Sequence, residues 1–448
     1  MQYKKGKAMA ETSETKFSIQ IRNVRAIQEA TVDLDAISVL CGENGSGKTT
    51  ISKLIYGHLY TSIHFDELVE EVYEDRFQLL HDFLLQILQV MAKSRIPFEN
   101  LTTLRDIFGF ARQFTNIDAL HLFVENELLP RIQKAEIIDK QINKVELSRL
   151  YNLYRDKFSK NKDDFASLTD LISDFNTEII ETINKIQRQK EKRTKTFYDL
   201  QISNYFGESV KDWDFNFFEY GVPLINKSDN VVTNQRSFNE VVYIGNPTVF
   251  DAEQMQMEFA FASPVSLREK LSVVKKKPHA KTISRLFSEV LHGDIEISDD
   301  VFSKIFMYTN RDGTRITLSQ AADGVKCFAV LEVLFKNGYL NADTLLIIDE
   351  PEVHLHPKWI VDYARVIVQM NKLLHCTVLL ASHSPDMISA LRYISKKEGV
   401  STKFYLGSKV SDEHFGTYRF KNTGSDIEPI FESFNSVLER ISQYGSME

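Results

Sequence analysis

The segment from Gly42 to Thr49, Gly-Glu-Asn-Gly-Ser-Gly-Lys-Thr, constrains this chain more than any other feature. It fits the spacing GxxxxGK[ST], and its surroundings fit as well. AISVLC at 36–41 reads as a buried strand entering the turn, and ISKLIYGHLY at 51–60 reads as the helix that follows. A strand, a glycine turn and a helix start aim backbone N–H groups at phosphate oxygens. Glycine permits the tight turn, and the helix dipole favours the anion. Asn44, Gly45, Ser46, Gly47, Lys48, Thr49 and Thr50 are therefore the candidate phosphate-binding residues. Lys48 has the reach for β and γ phosphates, and the Thr49 hydroxyl suits Mg²⁺. ATP with Mg²⁺ is the expected ligand pair.

Two later strand ends carry polar tips. Leu345-Leu-Ile-Ile runs into Asp349 and Glu350. Carboxylates placed directly after a hydrophobic run need a partner, because burying them unpaired is costly. A magnesium ion and its water supply one, so Asp349 is the metal candidate and Glu350 the candidate for polarising the attacking water. Leu379-Leu-Ala-Ser ends at His383, which is placed to sense the γ-phosphate or bond to the hydrolytic water. His354 and His356, with Asp349 and Glu352 nearby, admit a second, metal-binding reading against simple structural packing.

Composition sets bounds around this. At 43% hydrophobic, 448 residues can build a substantial core and divide into two or three domains. The formal charge of −8 weighs mildly against nucleic acid as the main partner, although a local basic groove is compatible with an acidic total. Cys41, Cys327 and Cys376 are scattered in apolar contexts, which argues against a disulfide framework and for a reducing cytoplasm. The polar start at 1–15 shows no apolar signal core, and no apolar run approaches a membrane span.

The chain changes character along its length. Residues 1–60 carry strands and the glycine loop. From 61 to 230 glycine nearly vanishes, and apolar residues recur at spacings of three and four, as in Ile132, Ile137, Ile138, Ile142 and Val145. Three long helices are predicted there, at 66–93, 129–158 and 168–197, with a turn at Asn161–Asp164. An antiparallel hairpin or coiled coil and a compact helical domain both fit this pattern. Residues 231–448 return to alternating strand-like and helix-like segments. The expected fold is α/β: one head built from 1–60 and 231–448 and split by a mainly helical insertion.

These motifs together, with DEPEVHLHP at 349–357 and ASHSP at 381–385, resemble compact prokaryotic ABC-type ATPases. That group is related to the ATPases of chromosome maintenance and double-strand-break repair. The chain looks most like the overcoming-lysogenisation-defect set and its nuclease-free relatives. The resemblance implies that Lys48 and Thr49 are the Walker A lysine and magnesium hydroxyl. Asp349 and Glu350 take the Walker B and catalytic positions, and His383 that of the switch histidine. It also implies homo-oligomers in which two heads sandwich two ATPs, each covered by the other's signature segment. Here Leu318–Lys326 departs from the family's serine-glycine-glycine turn. Gly324 matches, Asp323 and Ala322 stand where glycine and serine are expected, and Ser319 is the alternative serine. Gln254 and Gln256 are the candidates for the glutamine-bearing loop.

An ATPase head takes its output from what accompanies it. Residues 386–448 contain Ser411-Asp-Glu413 and Ser425-Asp-Ile-Glu428 but no apolar strand ending in a pair of acids, so no nuclease domain is read there. The leading expectation is a cytoplasmic sensor and regulator in bacterial antiviral defence. It would control a separate effector or nuclease and be triggered by nucleic acid or a phage protein. The alternative is a DNA-handling repair ATPase, for which the basic run RQKEKRTK at 188–195 is a phosphate-backbone candidate or merely a solvated helix face. The unusual signature and the long insertion make a transporter subunit a poor fit.

Overall fold

Apolar strands without alternation are buried on both faces, as in β3 (Ile37–Gly42), β12 (Thr344–Asp349) and β13 (Thr377–Ser382), in which all residues but Thr377 are buried. The computed structural model describes residues 16–93, 104–138, 144–159, 167–245, 247–250, 264–275, 281–299, 304–410 and 417–432. The polar tail at 1–15, the turn at 161–164, Gln254, Gln256 and the 411–413 acids lie outside the described residues.

The remaining strands are β1 (Phe17–Val24), β2 (Ile27–Leu34), β4 (Asp214–Glu219), β5 (Val222–Pro223), β6 (Ile225–Asn226), β7 (Val231–Val232), β8 (Glu240–Ile244), β9 (Gly293–Asp299), β10 (Lys304–Asn310), β11 (Arg315–Thr317), β14 (Thr402–Lys409) and β15 (Tyr418–Gly424). Ten of them form one sheet in the order β5-β4-β1-β2-β15-β14-β3-β13-β12-β8. The half from β14 to β8 is parallel. At the other end β1 pairs antiparallel with β2 and β4 and alternates buried with exposed residues, as a half-solvated antiparallel strand does. The fold is thus α/β, with a parallel half and an antiparallel half in one sheet.

Helices cover the parallel half. Val39, Cys41, Leu346, Ile348, Val378 and Leu380 pack in one core with Phe328, Leu331, Val366 and Ile367. Helix α1 (Lys48–Ile63) lies against β3, β8, β12 and β13. Phe328 and Leu331 come from the helix Asp323–Lys336, and Val366 and Ile367 from Pro357–Leu374. No helix among the described residues is long and apolar enough to cross a membrane.

The chain divides into two compact units, one of Met1–Ile63 with Thr194–Glu448 and the other of His64–Arg193. The second unit is helical and has its own core. The helix Glu74–Lys93 buries Leu80, Phe83, Leu84, Ile87, Leu88 and Met91, and Leu168–Lys192 buries Leu171, Ile172, Phe175 and Ile179. Phe83 sits 5.1 Å from the rings of both Tyr154 and Phe175, within the range in which tilted aromatic pairs attract. Helices from several parts of the segment meet on this one core, which makes the unit a compact helical body.

Three expectations from periodicity need correcting. The helix predicted over 66–93 breaks at Tyr73 into Phe65–Val72 and Glu74–Lys93, because the Tyr73 N–H closes the first helix on Glu70 O. The one over 168–197 stops at Arg193, where φ turns to +40°. A new helix, Lys195–Phe206, starts behind Thr194, whose hydroxyl accepts from Phe197 N. The mainly helical insertion expected over 61–230 also contains β4 to β7 at 214–232, and β4 joins the main sheet through β1. In the 129–158 stretch the described helices are Leu129–Ile138 and Lys144–Phe158.

Candidate functional site

Sheet register brings the three motif segments to one place. β13 lies between β3 and β12, pairing Ser382 with Cys41 and Ala381 with Asp349. The glycine loop after β3, the acids ending β12 and the histidine after β13 therefore leave the sheet side by side. This is the carboxyl edge where open α/β sheets bind their ligands.

The loop is built as its glycines require. Gly47 has φ +102°, and a Cβ there would stand 2.5 Å from Ile27 Cγ1, so both the backbone and the neighbour demand glycine. Ser46 N donates to Glu43 O across the turn, and Ile51 N donates to Gly47 O to start α1. Asn44 and Gly45 are exposed, while Ser46, Lys48 and Thr50 are buried.

Lys48 is 3% exposed. Its Nζ donates to Gly42 O and Glu43 O, both at 2.9 Å, and lies 3.9 Å from Glu350 Oε1. Burial pulls its pKa below the usual lysine range, against the pull of Glu350, Asp349 and Glu352. An ammonium carries three N–H donors, so two carbonyls leave one available.

Asp349 is 8% exposed. Its Oδ2 accepts from the Tyr243 hydroxyl at 2.9 Å, and the Thr49 side chain also hydrogen-bonds to it. Burial raises its pKa, the bonds from Thr49 and Tyr243 oppose that, Glu350 adds to it, and Lys48 opposes it. Asp349 Oδ1 and Ser46 Oγ are buried without a hydrogen-bond partner. Orphaned buried oxygens next to a part-engaged ammonium are the donor set expected for a phosphate with its cation. The residues present fit ATP and Mg²⁺.

Glu350 carries backbone strain. It adopts φ 47° and ψ 53°, a left-handed conformation unusual for a non-glycine residue and doubly so before a proline. Its N–H donates to Ala381 O at 2.9 Å, which ties it to β13. Its side chain is about one-third exposed, and Oε1 lies 3.7 Å from His383 Nδ1.

Lys48, Thr49, Asp349, Glu350 and His383 thus come together, while Ser319 and Gly324 have their contacts elsewhere. Ser319 is exposed on a short turn, with its hydroxyl 2.9 Å from that of Thr317. Gly324 opens the helix Asp323–Lys336, and a Cβ there would stand 2.3 Å from Trp359 Cζ3. The metal-binding reading of the histidines does not hold: His354 faces Asp323 at 3.8 Å, and His356 Nδ1 caps the next helix by accepting from Lys358 N. No cluster of three metal-ligating His, Cys, Asp or Glu occurs among the described residues.

Sequence reasoning missed two members of the site. Tyr243 is an ordinary strand aromatic until β8 pairs beside β12. Glu352 stands out in the sequence only as a neighbour of the histidines. It is buried, and its Oε1 accepts from Ser382 Oγ at 2.7 Å and His383 N at 2.8 Å. A second acid two residues past Glu350 was the only signal on offer.

The family model described as AAA ATPase domain matches residues 17–388. Among solved structures, the Smc head domain of Pyrococcus furiosus, with an extended coiled coil and bound to the C-terminal domain of ScpA, is 10% identical. That match covers 95% of this chain and 98% of that one at a TM-score of 0.33. The SMC head domain of Thermotoga maritima is 9% identical over 90% of this chain and 97% of its own, with a TM-score of 0.33. The cbiO1 protein of Clostridium perfringens, part of the ABC transporter complex cbiONQ, is 12% identical over 56% and 83%, with a TM-score of 0.27.

Proposed function

The chain belongs to the AAA ATPase domain family, and from that premise we propose that it is an ATP-hydrolysing regulatory subunit of bacterial antiviral defence. Its heads associate around nucleotide and control a separate effector, a nuclease. The observation that carries the enzymatic part is the meeting of Lys48, Asp349 and Glu350 at one sheet edge. The defence part rests on the sequence resemblance and proceeds from it.

In this reading the loop from Asn44 to Thr50 and the Lys48 ammonium hold the phosphates. Thr49 and Asp349 are the residues that would hold magnesium. When bound, that ion supplies positive charge beside the phosphate oxygens. Tyr243, kept protonated by burial and by the Asp349 carboxylate, donates to Asp349 and fixes its rotamer. Glu350 accepts a hydrogen bond from the attacking water and orients it, and His383 stands beside it. Ser319 and Gly324 are proposed for the segment that reaches a second head.

The DNA-handling alternative leans on the basic run at 188–195, three of whose five charges have partners within the chain. Lys190 pairs with Glu70 at 2.5 Å, Lys195 pairs with Asp199 at 2.6 Å, and the Arg193 guanidinium covers the Phe65 ring.

The test is Lys48→Ala. Phosphate release by the purified variant is expected to fall to background with nucleotide binding weakened, because the γ-phosphate loses its only buried ammonium partner in the loop. Turnover near that of the parent would refute the site. Affinity capture of the tagged protein from its host tests the effector, and a co-purifying nuclease is the expected result.

A further inference from the structure

The Glu352 carboxylate has no part in the scheme above, yet it is among the most constrained groups near the site. Its side chain is 6% exposed, on the short turn Pro351–His354 that follows β12. Burying a carboxylate is costly, so its partners have to compensate. Among the described residues Oε1 takes its partners from one segment, while Oε2 is buried without a hydrogen-bond partner. Oε1 accepts from the Ser382 hydroxyl at 2.7 Å and the His383 backbone N–H at 2.8 Å, and it lies 3.3 Å from Nδ1 of the His383 ring. The linkage continues: Ser382 Oγ accepts from Ser384 N, and Ser384 Oγ accepts from Met387 N to cap the helix Pro385–Glu398. Charge-assisted bonds of this kind are about twice as strong as neutral ones.

The ring is held in a one-sided field. Two carboxylate oxygens face Nδ1, Glu352 Oε1 at 3.3 Å and Glu350 Oε1 at 3.7 Å. Neither contact is a hydrogen bond, since Nδ1 is buried without a hydrogen-bond partner among the described residues, but a lone pair on Nδ1 is repelled by this nearby negative charge whereas a proton there is attracted to it. In a neutral imidazole the partner of one ring nitrogen decides the state of the other. We propose that Glu352 is a positioning residue that pins the Ser382–His383 turn and holds the His383 ring as its Nδ1–H tautomer, which leaves the lone pair on Nε2. That lone pair is the acceptor His383 needs to bond to the hydrolytic water. The inference rests on the ATPase reading for its consequence, but not for its geometry.

Long-range ¹⁵N–¹H NMR of the full-length, nucleotide-free protein labelled at histidine reads the tautomer directly, with His383→Ala identifying the signal. A pyrrole-type Nδ1 and a pyridine-type Nε2 are expected in the parent. In Glu352→Gln, which keeps the shape and removes the charge, the signals should move towards a mixture. In parallel, kcat should fall about tenfold or more while the KM for ATP stays within about twofold. Ser382→Ala keeps the carboxylate and should retain the parent tautomer. An Nε2–H tautomer in the parent overturns the proposal even if no variant folds. A Glu352→Gln spectrum identical to the parent's also overturns it, and an unchanged kcat removes the role in turnover. A parent that releases no more phosphate than Lys48→Ala would instead refute the ATPase reading, and the spectrum would still decide what Glu352 does.

Discussion

Glu350 shows how one residue can carry both strain and function. A left-handed φ at a non-glycine residue costs on the order of 1–3 kcal/mol and persists only where surroundings over-determine it. Here the Ala381 carbonyl and the following turn hold it, and the result places its carboxylate between Lys48 and His383. Glutamine has nearly the same shape and inherits the same backbone, but its amide is a far poorer base. Glu350→Gln should therefore bind Mg-ATP and lower hydrolysis by about 10²-fold or more. If head association precedes hydrolysis, the variant should also accumulate a larger, ATP-dependent species. Size-exclusion chromatography with light scattering, with and without ATP, reads both outcomes. Parent-like turnover would remove Glu350 from the catalytic role, and slow turnover at constant mass would reject nucleotide-driven association.

Elements separate into those whose sequence states their burial and those that need a neighbour to explain them. The helix Leu168–Lys192 belongs to the first kind. Leu168, Leu171, Ile172, Phe175 and Ile179 fall at three-four spacing, and Ser167 caps its start by accepting from Asp170 N at 3.1 Å. With its own aromatic core, the segment His64–Arg193 has most of what a helical body needs. Produced alone, residues 64–193 are expected to give a predominantly helical circular dichroism spectrum, and a strand-dominated spectrum would contradict this. The helix Asp323–Lys336 is of the second kind. Its Gly324 looks like a ligand-contacting glycine in the sequence, yet Trp359 on a neighbouring helix already forbids a side chain there.

At the scale of the molecule, the phosphate-loop helix is fastened to the antiparallel half of the sheet through a histidine. His58 of α1 is fully buried and stacks on Phe217 of β4, with ring centroids 3.9 Å apart, and neither ring nitrogen has a hydrogen-bond partner. Burial holds its pKa down at about 3, against 6.5 when unfolded. Between those values the unfolded chain binds a proton that the folded chain does not, so this group makes stability fall as pH drops below 6.5. The loss should reach about 2 kcal/mol by about pH 5. Urea midpoints for the parent and His58→Phe, measured at neutral pH and near pH 5, should converge in their acid sensitivity only if His58 is not its source. The expected result is a flatter profile for the variant.

The same scale decides what was legible beforehand. Residues 36–60 name a strand, a phosphate-type loop and a helix because the glycines, the lysine and the apolar run act on their immediate neighbours. The acids after β12 and the histidine after β13 stand out for the same local reason, as polar tips on buried strands. By itself, then, the sequence determined the α/β class, the loop and the segments bearing the chemistry. Tertiary structure alone decided that Tyr243 bonds to Asp349 across 106 positions and that Glu352 holds a turn 31 positions away. It alone also returned residues 214–219 to the main sheet after the helices. Periodicity reports which face of an element is apolar, but a hydrogen bond between distant side chains depends on strand order and register. Those are fixed only when the whole sheet and its core assemble.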